Sequence, residues 1–79
     1  MAKGIVTVTV YHLHSRAEGA FVPRPLLWGA NLDRLGLALK ELRVPRDQVL
    51  WDRINTDRPA YVSGDGTAYY IFKSELEAK

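Results

Sequence analysis

Apolar positions cluster most clearly near the N-terminus, where Ile5, Val6, Thr7, Val8, Thr9, Val10 and Tyr11 are almost all β-branched or aromatic. Such side chains fit a pleated surface, so Gly4 to Ser15 is read as a strand. Period-two alternation gives it one face of Val6, Val8, Val10, His12 and His14 and another of Ile5, Thr7, Thr9, Tyr11 and Leu13. The valine face is expected to be core. The chain turns between Arg16 and Gly19, and Ala20-Phe21-Val22 reads as a short return strand ended by Pro23-Arg24-Pro25. Leu26, Leu27 and Trp28 are too apolar for a solvated loop and are expected to lie against the core or a partner.

A change of period marks the helix. Leu32, Leu35, Leu39 and Leu42 recur at three- and four-residue spacing with Ala38 at the edge of the stripe, and Leu37 projects to the opposite side. Asn31 is placed to cap the helix, Asp33 falls in its first turn, Lys40 and Arg43 in its last, and Pro45 stops it, which predicts a helix over Asn31 to Arg43. Arg46 to Asn55 fits a helix or a strand, with the helical pairing of Leu50 and Ile54 slightly the better match. Tyr61-Val62 and Thr67 to Phe72 flank Ser63-Gly64-Asp65-Gly66, so Pro59 to Lys73 is a hairpin turning at Asp65-Gly66. A two-residue loop there puts Val62, Tyr69 and Ile71 on one face and Tyr61, Tyr70 and Phe72 on the other. Ser74-Glu75-Leu76-Glu77 has capping-box spacing and predicts a frayed helical turn at the end.

These elements predict an α+β fold in one domain over residues 1–79. A small antiparallel sheet, made of the N-terminal strand or hairpin and the C-terminal hairpin, packs on one central helix, with a second short helix or strand at 46–55. A chain of 79 residues buries only roughly 60 to 65 per cent of its unfolded surface, so its core is thin and self-association into a homodimer would help it. There is no cysteine, which removes disulfides and thiolate metal sites, and no apolar run long enough to span a membrane. A cytoplasmic protein is the expectation.

Both faces of the final hairpin are apolar or aromatic, so a sheet covered by one helix leaves a second face to be covered by something else. Tyr61, Tyr70 and Phe72, with Trp51 and Arg58 near them, are the candidate partner-binding residues, since Tyr, Trp and Arg are enriched at interface centres. The same group would serve to stack unpaired bases. Net charge is only +2, and Asp33-Arg34, Arg46-Asp47, Asp52-Arg53 and Asp57-Arg58 interleave the signs, which blunts a basic groove and favours a protein partner. The alternative is a winged helix: a helix ending at Leu42, a turn at Arg43-Val44-Pro45 that adds Arg43 to the DNA-binding candidates, a second helix from Arg46 offering Arg46, Gln48 and Arg53 to DNA, and a wing at Gly64-Asp65-Gly66. In that pattern Arg43 stands where a turn glycine is usual.

His12-Leu13-His14-Ser15 followed by Glu18-Gly19 resembles the first motif of the polymerase-and-histidinol-phosphatase metal hydrolases. The resemblance implies a pair of metal-ligating imidazoles at the end of a first strand of a large barrel. The chain has no third histidine and is too short for the later motifs, so the expectation is a strand-end histidine pair, with no metal or other cofactor in one chain. A metal shared between two copies is the one enzyme-like version compatible with it. No Ser-His-Asp set, phosphate-cradling glycine loop or carboxylate pair assembles from the sequence, and a non-catalytic regulator, inhibitor or adaptor with no small-molecule substrate is the expected role.

Overall fold

The computed structural model describes residues 7–77. Ile5 and Val6 of the predicted first strand lie outside the described residues. The chain runs β1 (Thr7–Arg16), β2 (Arg24–Ala30), α1 (Leu32–Glu41), two 3-10 turns (Arg46–Gln48 and Trp51–Arg53), β3 (Tyr61–Val62) and β4 (Ala68–Glu77). The strands form one antiparallel sheet in the order β2-β1-β4-β3 with the helix on one side, a small α+β fold as expected. No helix among the described residues is long and apolar enough to cross a membrane.

The two long strands sit in the middle and pair over their whole length, from Thr7 opposite Glu77 to Arg16 opposite Ala68. Ten residues of strand reach about 33 Å, while the ten of α1 reach about 15 Å. The helix therefore covers less than half of the sheet's length, and the molecule is elongated, 54 × 24 × 20 Å. Pairing with β1 also explains why Ser74 to Glu77 continue as strand rather than starting a helical turn: Val8 and Leu76, and Val10 and Ser74, are cross-strand partners.

The core lies under α1. Leu13 and Ile71 are directly opposite one another, and Leu35 and Leu39 of the helix seat on them, all four fully buried; Val44, Val49, Ala60 and Tyr69 close the cluster. This reverses the expected sidedness of β1 toward the helix, whose side is taken by Tyr11 and Leu13, while Val8, Val10, His12 and His14 face away; of that valine face Val10 and His12 are nonetheless buried and Val8 is exposed. Alternation between Val and Thr records which residues share a face; the Leu13–Ile71 pair, the largest apolar surface the two strands offer together, decides which face the helix takes. Leu32 and Leu42, at the ends of the leucine stripe, stay largely exposed.

Asn31 caps α1, its side chain accepting the Arg34 N–H at 2.9 Å. The helix ends before Pro45 is reached. The Val44 N–H reaches back to the Leu39 carbonyl (2.8 Å) and the Arg43 N–H to that of Lys40 (3.0 Å), with Arg43 in the left-handed region at φ 59°. This is a Schellman closure, and buried Val44 lies in the same cluster as Leu39.

Three further expectations are corrected. Ala20 to Val22 is loop, and the return strand is Arg24–Ala30, which runs through Pro25 and the Leu26-Leu27-Trp28 segment. Pro25 is tolerated because β2 is an edge strand. Arg46 to Asn55 forms two 3-10 turns instead of one helix or strand; Val49 between them is buried, and the Leu50 N–H is held by the Ala60 carbonyl at 2.8 Å. The last hairpin closes with three loop residues, Gly64-Asp65-Gly66, between Ser63 and Thr67, and Gly66 takes φ 89°. The register becomes Tyr61 opposite Tyr69 and Val62 opposite Ala68, a one-residue slip that exchanges the faces of Tyr61 and Val62.

Candidate functional site

The sheet face turned away from α1 is built from alternate residues of the two central strands: Val8, Val10, His12, His14 and Arg16 on β1, and Leu76, Ser74, Phe72, Tyr70 and Ala68 opposite them on β4. Arg16 is the one charged side chain among these, and its guanidinium lies 5.7 Å from the centre of the Tyr70 ring. Val62 joins the face from β3.

Trp28 is delivered to this face by a bulge. Between Tyr11 opposite Ala30 and Leu13 opposite Leu27, the single residue His12 is opposed by two, Trp28 and Gly29. Gly29 supplies the left-handed turn at φ 67°, a conformation open to glycine at little cost. Its N–H donates to His12 Nδ1 at 3.0 Å, so in the neutral ring the proton sits on Nε2, which faces Ser74 Oγ at 3.3 Å. The tryptophan ring then lies on the imidazoles, with centroids 3.8 Å from His12 and 6.1 Å from His14, and His14 lies 5.3 Å from Phe72. His12 is buried and held at both nitrogens, whereas Trp28 remains 73% exposed. His14 Nε2 is buried with no partner. A hidden nitrogen without a hydrogen bond costs the sheet free energy locally. No group of three or more His, Cys, Asp or Glu side chains comes together among the described residues.

Of the predicted partner-binding residues, Tyr70 and Phe72 are brought together on this face, Tyr70 buried and Phe72 half-buried. Tyr61 is carried to the helix side by the hairpin register, its ring 6.2 Å from that of Tyr69. Trp51, in the second 3-10 turn, is also on the helix side, in a groove with Tyr11 and Lys73. Arg58 is exposed in the loop before β3, where its N–H bonds Thr56 Oγ1. The residues of the DNA alternative are spread: Arg43 closes the helix, Arg46 lies along Gly36 of α1, Gln48 is exposed, and the Arg53 side chain donates to the Pro59 carbonyl at 3.5 Å. Each 3-10 turn has three residues, so among the described residues no second helix follows the first as a groove-reading element.

Sequence reasoning noticed Trp28 but not its place. The signal was Gly29 directly after it, since a glycine inside an apolar strand marks a bulge. Compared with protein-family models, with curated proteins and with solved structures, the chain finds no match in any of the three.

Proposed function

We propose that this chain is a small non-catalytic docking protein that binds another protein through the sheet face opposite α1. The observation that carries the reading is a ten-residue face with one charge, on which Val10, His12, Ala68 and Tyr70 are already buried while Val8, Leu76 and the crossing Trp28, 73% exposed, stay open to a partner. Interface centres are depleted of charge and enriched in Trp, Tyr and Phe, which is this composition. A nucleic acid needs cations for its phosphates, and Arg16, the only one here, is drawn over Tyr70.

Two strands of about 33 Å with the shorter β2 beside them, and with Val10, His12, Ala68 and Tyr70 already buried, present less than the roughly 800 Å² per partner of a standard interface. The β1–β2 loop extends the surface: Phe21, 97% exposed, shares a cleft with Arg16 and Ala68 at the end of the face. A protein with a complementary apolar ridge would cover both.

The test compares capture of source-cell proteins by the wild type, Trp28→Ser with Phe21→Ser, and Trp51→Ser, beside light scattering and an oligonucleotide salt series. A discrete protein held by the wild type and Trp51→Ser but lost from the double variant, and then bound in purified form with the same sensitivity, supports the reading. If only a second copy of the chain shows that sensitivity, the partner is the chain itself. Salt-steep oligonucleotide binding that ignores the double variant overturns the proposal.

A further inference from the structure

On the other side of the sheet, a groove of about 520 Å³ opens between the start of α1, the two 3-10 turns and the central strands. We infer that it is a binding site for a planar nitrogen heterocycle carrying one carboxylate or phosphate. Its volume falls within the range of small-molecule sites, about 300–1,000 Å³.

The groove is framed by backbone hydrogen bonds. Tyr11 and Lys73 are cross-strand partners on its floor. The wall that bears Trp51 and Ile54 is pinned to β4 by Asn55, whose side chain accepts the Lys73 N–H at 2.7 Å while its own N–H donates to the Ile71 carbonyl at 3.2 Å. Asn55 takes φ 64° to do both. Asparagine is among the few residues besides glycine that adopt this conformation readily.

The lining supplies three kinds of recognition. Tyr11 and Trp51 offer ring faces, and neither stacks on another ring among the described residues. Arg46 and Lys73 are exposed cations at the rim, and no hydrogen bond or ion pair of their side chains occurs among the described residues. Asp47 adds an acceptor beside them. In the inferred complex a flat ring lies against one or both aromatic side chains of the lining, its acidic group is drawn to the Arg46 and Lys73 cations, and a ring N–H or amino group is drawn to the Asp47 carboxylate. Nucleotides and indole acids share this chemistry. The site lies on the opposite side of the sheet from the proposed docking face, so each stands or falls alone.

The test uses the full chain carrying Trp28→Phe, which leaves Trp51 as the one tryptophan reporter. Adenosine monophosphate is titrated by Trp51 fluorescence and indole-3-acetate by amide chemical shifts, with neutral indole and cationic tryptamine as controls. Saturable binding of either anion, with shifts at Tyr11, Trp51 and Lys73, is expected. Arg46→Gln and Lys73→Gln should each weaken it about fivefold and indole should bind at least about tenfold more weakly. Binding of the phosphate alone, the carboxylate alone or both identifies the ligand class. The inference is overturned if neither anion saturates at millimolar concentration, or if indole binds as well as indole-3-acetate and ignores both glutamine variants.

Discussion

Replacing Arg43 by glycine is expected to stabilise the protein, although it deletes a charged side chain from the surface. Arg43 holds φ 59° so that its own N–H and that of Val44 can turn back onto α1. An L side chain pays about 1–2 kcal/mol for that conformation, and glycine does not. Against this, glycine loosens the unfolded chain by about 0.4–1 kcal/mol, and the lost cation was favourable beside the helix C-terminus by about 0.3 kcal/mol. The side chain is exposed, so packing changes little. The net gain is about 0.5 kcal/mol, or a rise of roughly 2–4 °C in Tm for a domain of this size. Arg43→Ala deletes the same charge but keeps the Cβ atom, so glycine should exceed alanine by about 0.5–1 kcal/mol. Urea melts of the three proteins, analysed with a shared slope, measure the differences. A glycine variant no more stable than the alanine variant would refute the left-handed closure at this residue.

Leu39→Ala should cost about 2–4 kcal/mol in urea melts, because a fully buried side chain leaves a cavity against Leu13 and Ile71; a loss under about 1 kcal/mol would place the helix elsewhere. His12→Phe fills the space but gives Gly29 N–H no acceptor, and should cost about 1–3 kcal/mol; faster exchange of the Gly29 amide and a shifted Trp28 emission would report the loosened bulge, and unchanged exchange would argue against the bond. Hydrogen bonds from the Ser63 hydroxyl and then the Thr67 N–H hold the Asp65 carboxyl below its ordinary 3.8. Its support for the hairpin loop is therefore complete above that value and lost as pH falls through the lower folded one. An acid titration of the Thr67 amide shift should show this and Asp65→Asn should abolish it; a Thr67 titration midpoint at or above 3.8 would contradict it.

What could be read in advance depended on whether a signal was local. The helix was legible because Asn31 and the leucine spacing act within a turn or two, and the turn of the last hairpin was legible from its glycines, though neither its register nor the run of β4 on to Glu77 was. Leu13 and Ile71 show where local reading stops: only pairing between strands 58 residues apart in sequence makes them the floor of the core, and with it sets the sidedness of every other β1 residue. The return strand was hidden because Pro25 and two irregularities in β2 break its alternation. Tyr70 and Phe72 could be placed together from parity alone, whereas Tyr61 could not, since one extra loop residue at Gly64 reverses it. Trp28 reaches the candidate face through the conformation of Gly29, which period-two reasoning cannot follow.

Asn55 has a meaning beyond the groove it frames. An outermost strand is a growing end, a template onto which another chain can be laid, and β3 shields only Ala68 and Tyr69 of β4. By taking the Lys73 N–H with its side chain and giving its own N–H to Ile71, Asn55 fills the next two positions of that template with a single residue from a loop. Over these two positions it works as a chain terminator: it takes up one acceptor and one donor without offering new ones in strand geometry, while β4 runs on past it to Glu77. Edge-to-edge addition is thereby blocked along Ile71 to Lys73 by one left-handed residue, in the middle of an edge that would otherwise be a continuous template.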